Sequence, residues 1–225
     1  MFCGVNVYDM QGLYINLDHR TDRDQHMRQL ISEHKWLSGL QRFSAMKHIN
    51  GAIGCALSHI GVLQRLQVMA ELNGLGYVGV FEDDLSILNK AHFLKFQTAF
   101  ERIKDLPDWD VIVLTPRGDT MREATSEPLR LAGFLRICNN QTTTAYLIKT
   151  AVLNNFIKAY KDAVLGLLKN GDPNVYALDQ YWKRLQQNHR FYYYQEVYAG
   201  QLVGWSDIEQ RPVNYNQRFL QQTQY

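Results

Sequence analysis

The chain has 225 residues, a formal net charge of +2, and 46% hydrophobic and 20% charged residues. These values are typical of a globular protein that is long enough to bury a substantial core. Lysine and arginine are scattered among acidic residues instead of forming a basic block, so we expect no nucleic-acid partner and no strong attraction to an anionic membrane surface.

The cysteines and the N-terminus indicate a compartment. Cys3, Cys55 and Cys138 are far apart and odd in number, which favours a reducing environment over a disulfide framework. The N-terminus lacks the pattern of a signal peptide, and no apolar run approaches the roughly 18 residues of a membrane span. We therefore expect a cytoplasmic protein, bacterial or in a virus-infected host cell, with at most peripheral membrane contact.

The first half of the chain alternates between strands and helices. Strands are predicted at 12–17, 40–43 and 76–81. Helices are predicted at 51–72 and 91–103, and another helix is predicted to begin after a cap at Thr21 or Asp22. The helix at 51–72 is the clearest, because apolar residues recur every three or four positions before the stop signal Asn73-Gly74. Strands and helices therefore follow one another closely along this half of the chain, as in α/β proteins.

The second half continues the alternation less regularly. Strands are predicted at 109–114, 134–137, 143–148 and 191–194, and helices at 151–168 and 175–188. The strands at 134–137 and 143–148 suggest a hairpin around Asn139-Asn140, and the polar stretch 115–128 suggests a mobile surface loop, either a lid or inert. The whole pattern predicts an α/β fold with a mixed, mostly parallel sheet flanked by helices.

Three consecutive carboxylates, Glu82-Asp83-Asp84, directly follow the apolar strand at 76–81. Ligands usually bind at the carboxyl ends of strands in α/β sheets, and hard cations such as Mn²⁺ or Mg²⁺ prefer oxygen ligands. In an extended segment Glu82 and Asp84 point to one face and Asp83 to the other, which predicts Glu82 and Asp84 as a metal-binding pair. The alternative is a solvated acidic turn.

Two further segments carry polar residues near predicted strand ends or helix starts. Arg20 and Arg23 follow the first strand at a helix N-terminus, an arrangement suited to phosphate groups; the alternative is an ordinary capped helix with surface Arg–Asp pairs. Ser58 and His59 are polar residues in the otherwise apolar, small-residue start of the helix at 51–72. A structural histidine is the alternative to an active-site role for His59.

These segments together resemble glycosyltransferase family 25, the lipooligosaccharide and collagen galactosyltransferase group. The resemblance lies in Tyr-Ile-Asn-Leu-Asp-x-Arg-x-Asp-Arg at 14–23, Gly-x-Ile-Gly-Cys-Ala-Leu-Ser-His at 51–59 and Phe-Glu-Asp-Asp at 81–84, with looser blocks at 142–148, 178–180 and 206–209. It implies a GT-A-like single domain over 1–225, with a nucleotide-binding part at about 12–115 and an acceptor-side part at about 129–215.

The same resemblance implies an activity. It is the transfer, with inversion, of galactose or glucose from a UDP-sugar to a glycan, glycolipid or protein-linked sugar acceptor, assisted by Mn²⁺ or Mg²⁺. Two other classes remain open: a catalytically silent module that binds nucleotide-sugars or carbohydrates, and a metal-dependent phosphoryl- or nucleotidyl-transferase.

The resemblance also implies roles for individual residues. Glu82, Asp84 and Asp207 would bind the metal, and His59 would be a catalytic residue near the active cleft. The predicted contacts to substrate or nucleotide are Asn16, Arg20, Arg23, Ser58, Asp83, Thr144 and Ser206. Asp179 is the predicted catalytic base, although an acidic residue in the first turn of a helix is also favoured by the helix dipole alone. Trp205 is a candidate for stacking on a sugar.

Overall fold

The structure is a computed structural model that describes residues 10–118, 121–124, 126–206 and 211–215. Its helices are α1 (Thr21–Glu33), α2 (Gly51–Asn73), α3 (Lys90–Ile103), α4 (Glu127–Leu131), α5 (Leu153–Asn170), α6 (Pro173–Tyr176), α7 (Leu178–Tyr181) and α8 (Leu185–Asn188), with 3-10 turns at Lys35–Leu37, Thr150–Val152 and Trp182–Arg184. Its strands are β1 (Gly12–Asn16), β2 (Leu40–Ser44), β3 (Tyr77–Glu82), β4 (Leu85–Ile87), β5 (Val111–Val113), β6 (Arg117–Gly118), β7 (Met121–Glu123), β8 (Phe134–Ile137), β9 (Asn140–Gln141), β10 (Ala145–Lys149), β11 (Phe191–Tyr194), β12 (Ala199–Gln201), β13 (Gly204–Ser206) and β14 (Arg211–Val213).

In the described part of the chain, eight of these strands form a central sheet in the order β2-β1-β3-β10-β5-β11-β8-β7. β1 is parallel to β2 and β3, and β5 is parallel to β11. β10 and β8 run antiparallel to their neighbours, so the other six strands share one direction. The predicted α/β fold with a mixed, mostly parallel sheet is confirmed.

Helices cover both faces of the sheet because the strand side chains alternate between two apolar layers. Leu13 and Val80 point into the layer that contains α2 and α5, whereas Tyr14 and Phe81 point into the layer that contains α1 and α3. All five residues of β1 are buried, as expected for a strand covered on both sides. This arrangement places the carboxyl ends of β1 and β3 together at one edge.

Helix α2 begins and ends where its sequence predicts. The Asn50 side chain accepts hydrogen bonds from the backbone N–H groups of Ala52 and Ile53, and Gly74 adopts the left-handed conformation, with φ 64°, at the C-terminus. Gly54 lets the preceding loop approach the helix, since a Cβ there would lie 2.9 Å from the Met46 carbonyl oxygen. The loop at 45–50 is therefore held against the start of α2.

Several predicted local features are wrong. The strands at Phe134–Ile137 and Ala145–Lys149 do not pair with each other, because β10 is inserted between β3 and β5 while β8 lies beside β11. The predicted helix at 175–188 is interrupted, since Ala177 is extended with ψ 145°. No side chain caps α1, and Thr21 and Asp22 lie inside it.

The stretch at 115–128 is more regular than the predicted loop. The stretch at 115–128 contains β6, β7 and the start of α4, and β7 is an edge strand of the central sheet. The segment after Gln201 contains β13 and β14, which pair antiparallel. Strand β11, predicted at 191–194, lies fully buried between β5 and β8. Among the helices that the structure describes, none combines the length and apolar character that crossing a bilayer demands.

Candidate active site

A cavity of about 720 Å³ opens at the carboxyl end of β3. It is lined by the loop at 45–49, the first turns of α2, the carboxylates at and just after the end of β3, residues 142–144 and helix α7. Ser206 at the end of β13 and Tyr215 also contribute to its wall. The cavity thus lies where ligands generally bind in open α/β sheets, outside the carboxyl ends of the strands.

Strand register brings a run of threonines to the carboxylates. Ala145 of β10 pairs with Phe81 of the antiparallel strand β3, so the residues before Ala145 lie beside those after Phe81. The Thr143 hydroxyl donates a hydrogen bond to Glu82 Oε1 at 2.8 Å, and the Glu82 N–H donates to the Thr144 carbonyl at 2.7 Å. Hydrogen bonds of both its own backbone and its own side chain therefore hold Glu82 in one position.

Helix α2 supplies a second partner for Glu82. His59 is fully buried, with Nε2 3.1 Å from Glu82 Oε1 and Nδ1 3.2 Å from the Tyr146 hydroxyl. Burial pushes the pKa of Glu82 upward, but the His59 hydrogen bond and charge and the Thr143 hydroxyl outweigh it, so the pKa falls below its usual value. Glu82 is the member of the acidic cluster that most strongly favours its charged form.

Asp83 and Asp84 converge on one arginine. Arg23 Nη1 lies 3.3 Å from Asp83 Oδ1 and 3.7 Å from Asp84 Oδ2, and its side chain is only 8% exposed. The turn after Glu82 ends the strand alternation, so Asp83 does not point away from Asp84 as the strand pattern predicts. All three carboxylates line the cavity.

Burial raises the pKa of both aspartates. Desolvation is the main cause for Asp83, opposed by the Asn16 hydrogen bond and the Arg23 charge. The pKa of Asp84 rises to about 7, first through burial and then through repulsion by Glu82. Asp83 and Asp84 share the single arginine Arg23, so acidic groups outnumber arginine partners in this cluster, which favours a cation.

The remaining residues of the first predicted segment act mainly as supports. Asn16 is buried and donates to Asp83 Oδ2 at 2.8 Å and to the Arg20 carbonyl at 3.0 Å. The Arg20 guanidinium pairs with Asp22 at 2.9 Å. Of these residues, the described cavity wall includes Arg23 but not Asn16 or Arg20. Asn16 thus positions a carboxylate, and the predicted contacts of Asn16 and Arg20 with the nucleotide stay predictions.

The other predicted residues are distributed around the same cavity. Ser58 lines it while bonding to the Gly54 carbonyl and the Met46 N–H, so it fixes the loop at 45–50. Thr144, Asp179 and Ser206 also line it. Asp207 lies outside the described residues, and its predicted metal role stays a prediction. Trp205 is 47% exposed on β13.

Asp179 faces the cavity from the first turn of α7. Its Oδ2 lies 3.8 Å from Arg117 Nη2, and the Arg117 guanidinium also stacks 4.4 Å from the centre of the Tyr215 ring. Burial raises the pKa of Asp179, with the Arg117 charge opposing the shift. Arg117 belongs to the stretch interpreted from sequence as a loop, and no local pattern pointed to it.

Sequence reasoning also missed three residues that contact the carboxylates or lie beside them. Thr143 donates to Glu82, Gln201 donates to Asp84 Oδ2 at 3.1 Å, and the Cys55 thiol lies near His59 and Glu82. Thr143 and Cys55 lie inside segments that resemble blocks of the glycosyltransferase family, so their positions next to predicted site residues could have indicated them. Gln201 had none, because it reaches the site through the pairing of β12 with β4.

The donor set is suited to a hard divalent cation. Asp84 Oδ1 and Thr144 Oγ1 are buried, and neither has a hydrogen-bond partner among the described residues. A buried carboxylate oxygen without a partner is costly, and a cation would relieve that cost. Oxygen ligands from Glu82 and Asp84, completed by water and substrate phosphates, match the preference of Mg²⁺ and Mn²⁺.

Comparisons with known proteins bear on the fold. No protein-family model and no curated protein matches the chain. Among solved structures it is similar to a glycosyltransferase involved in the glycosylation of the major capsid of PBCV-1, with 15% identity and a TM-score of 0.52 over 90% of this chain and 96% of that one. That similarity shows that the chain has the fold of the GT-A-like nucleotide-sugar transferases.

Two further similarities have TM-scores below 0.5 and add nothing to the fold assignment. One is to an apo UDP-glucose pyrophosphorylase, with 11% identity and a TM-score of 0.43 over 94% of this chain and 78% of that one. The other is to a mannose-1-phosphate geranyltransferase from Thermus thermophilus, with 10% identity and a TM-score of 0.38 over 83% of this chain and 59% of that one.

Proposed function

We propose that the protein is a glycosyltransferase of the family 25 type that moves galactose or glucose from a UDP-sugar to a hydroxyl of a glycan, glycolipid or protein-linked sugar. The observation that supports it most is the convergence of Glu82, Asp83 and Asp84 with Arg23 at the strand-end cavity of a GT-A-like fold. In a nucleotide diphosphate with its divalent cation, the negative phosphates match Arg23 and the cation matches the carboxylates.

The proposal assigns Glu82, Asp84 and Asp207 to Mn²⁺ or Mg²⁺. The cation, when bound, offsets the negative charge that develops on the departing diphosphate. Arg23 contacts both Asp83 and Asp84 and orients their carboxylates. His59 and Thr143 hold Glu82 ionised and in place, which keeps a charged oxygen aimed at the cavity.

Asp179 is the proposed base. Transfer with inversion requires a base to accept the proton of the attacking hydroxyl, and a carboxylate can serve as that base. The burial-raised pKa of Asp179 makes its carboxylate a stronger base than an exposed aspartate, and the Arg117 charge, 3.8 Å away, opposes that rise. The exposed indole of Trp205 offers a surface on which the acceptor sugar stacks.

Metal-dependent nucleotide binding tests the donor site. Thermal unfolding is followed with UDP-glucose, UDP-galactose, other nucleotide-sugars and free UDP, each with and without Mn²⁺. We expect stabilisation by a UDP-sugar only when Mn²⁺ is present. Asp84→Asn should abolish that shift, whereas Asp162→Asn, on the exposed face of α5, should retain it. No shift with any nucleotide would count against the proposal.

Product analysis then separates the three functional classes. Incubation with the stabilising UDP-sugar, Mn²⁺ and a panel of sugar acceptors should release UDP together with a lengthened glycan. Release of pyrophosphate or phosphate would indicate the phosphoryl- or nucleotidyl-transferase class. Nucleotide binding without turnover on any acceptor, under conditions in which the PBCV-1 glycosyltransferase is active, would favour the silent module.

A further inference from the structure

A thiol and an imidazole lie beside the acidic cluster in an arrangement that the proposed transfer does not use. Cys55 and His59 are four residues apart on α2, so their side chains share one helix face, and that face meets the end of β3. The Cys55 Sγ, a His59 ring nitrogen and a Glu82 carboxylate oxygen all lie within 4.8 Å of one another. All three residues line the cavity.

We propose that Cys55, His59 and Glu82 form a second cation site, selective for thiophilic ions such as Zn²⁺, in the floor of the cavity. Sulfur, nitrogen and carboxylate oxygen are the ligands of tetrahedral zinc, whereas Mg²⁺ and Mn²⁺ favour oxygen alone. Three protein ligands leave a fourth position open to water. The site is defined by geometry and does not depend on the proposed transfer.

The geometry needs only small side-chain adjustments. Zinc–ligand bonds of about 2.0–2.3 Å place tetrahedral ligands roughly 3.5 Å apart, so atoms within 4.8 Å converge by modest rotations. His59 Nε2 already lies 3.1 Å from Glu82 Oε1, and the Tyr146 hydroxyl at Nδ1 fixes the ring from behind, as outer partners do at zinc sites. On binding, the S–H bond of Cys55 and the His59 Nε2–H bond that faces Glu82 break, and bonds from sulfur and nitrogen to the metal form. The imidazole then carries its proton on Nδ1, facing the Tyr146 hydroxyl, and the remaining released protons leave to the buffer.

Sharing of Glu82 has a consequence for regulation. Glu82 is also a proposed ligand of Mn²⁺ or Mg²⁺, so the two cations would compete for it. Occupation by Zn²⁺ would therefore block the metal-dependent binding of a nucleotide, and this consequence alone rests on the proposed function. The site would make the protein sensitive to free zinc.

Cobalt is the probe, because Co²⁺ substitutes for zinc and gives a near-ultraviolet charge-transfer band when a thiolate binds it. The matched control is Cys138→Ser, since Cys138 follows β8 and is not part of the described cavity wall. We expect one Co²⁺ with a thiolate band in the wild type and in Cys138→Ser. Cys55→Ser should lose the band and bind Co²⁺ at least tenfold more weakly, with Zn²⁺ displacing the cobalt from the wild type.

The outcomes are separable from those of the nucleotide experiments, since the cobalt spectrum needs neither nucleotide nor turnover. Circular dichroism of metal-free Cys55→Ser establishes that the variant is folded, and Cys55→Ala provides a second variant if serine perturbs the helix. A thiolate band that persists in both Cys55 variants would overturn the proposal. So would the absence of cobalt binding to the wild type, or equal affinity in the wild type and both variants.

Discussion

His59 Nε2 lies 3.1 Å from Glu82 Oε1, which links the middle of a helix to the last residue of a strand 23 positions later. His59 is fully buried, so replacing it by alanine leaves a cavity and removes a partner from a buried carboxylate. We expect His59→Ala to lower the free energy of unfolding by about 2–4 kcal/mol. His59→Gln, whose amide can still reach a carboxylate, should cost less. Urea denaturation measures both, and equal losses would contradict the importance of the hydrogen bond.

Asp84 should make the metal-free protein less stable as the pH rises. Its pKa is about 7 in the folded protein against an ordinary 3.8, so between these values the folded state retains a proton that the unfolded state has lost. Stability contributed by protonated Asp84 is complete below about pH 4 and is lost as the pH rises to about 7. The melting temperature should therefore fall less steeply across this range for Asp84→Asn than for the wild type.

Added Mn²⁺ provides the control for the pH experiment. The ionised carboxylate then has a partner, so the wild type should regain stability at pH 7 and Asp84→Asn should gain little. A wild type and a variant with the same pH profile in the absence of metal would show that Asp84 is ionised throughout this range.

Asp179→Asn should separate catalysis from donor binding. The amide keeps the shape of the side chain but cannot accept a proton, so we expect transfer to fall by about 10²–10⁴-fold. The affinity for the UDP-sugar with Mn²⁺ should change by no more than about twofold, since Asp179 is not a proposed metal ligand. Initial rates and calorimetric titration provide the two readouts. A matching loss of affinity would instead indicate a role in binding the donor.

Position 142 should tolerate glycine better than alanine. The φ of Thr142 is 74°, a left-handed conformation that a β-branched residue rarely adopts, and its buried hydroxyl donates to the Thr115 carbonyl at 2.7 Å. Both replacements lose that hydroxyl, so the difference between them reports the relief of backbone strain minus the extra chain entropy that glycine loses on folding. We expect the Thr142→Gly variant to be more stable than the Thr142→Ala variant, with a free energy of unfolding higher by about 1 kcal/mol. Equal stabilities would place φ of residue 142 in the ordinary range.

Local sequence patterns determined the elements and one part of the site. Local sequence predicts the apolar periodicity of α2, its Asn73-Gly74 stop and the alternation of strands with helices, because these features depend on residues only a few positions apart. The position of Glu82-Asp83-Asp84 at the end of a buried strand follows in the same way. Pattern reasoning failed where chain geometry changed abruptly, as at Ala177 and in the turn that brings Asp83 and Asp84 to Arg23.

Tertiary structure alone decided which distant residues meet. The insertion of β10 between β3 and β5 places Thr143 on Glu82, and the packing of α2 on that sheet brings Cys55 and His59 to the same carboxylate. Arg117 reaches Asp179 from a segment without a local signal. Strand order and helix packing depend on how the apolar side chains of the whole chain are buried together in the core. A short stretch of sequence does not determine that burial.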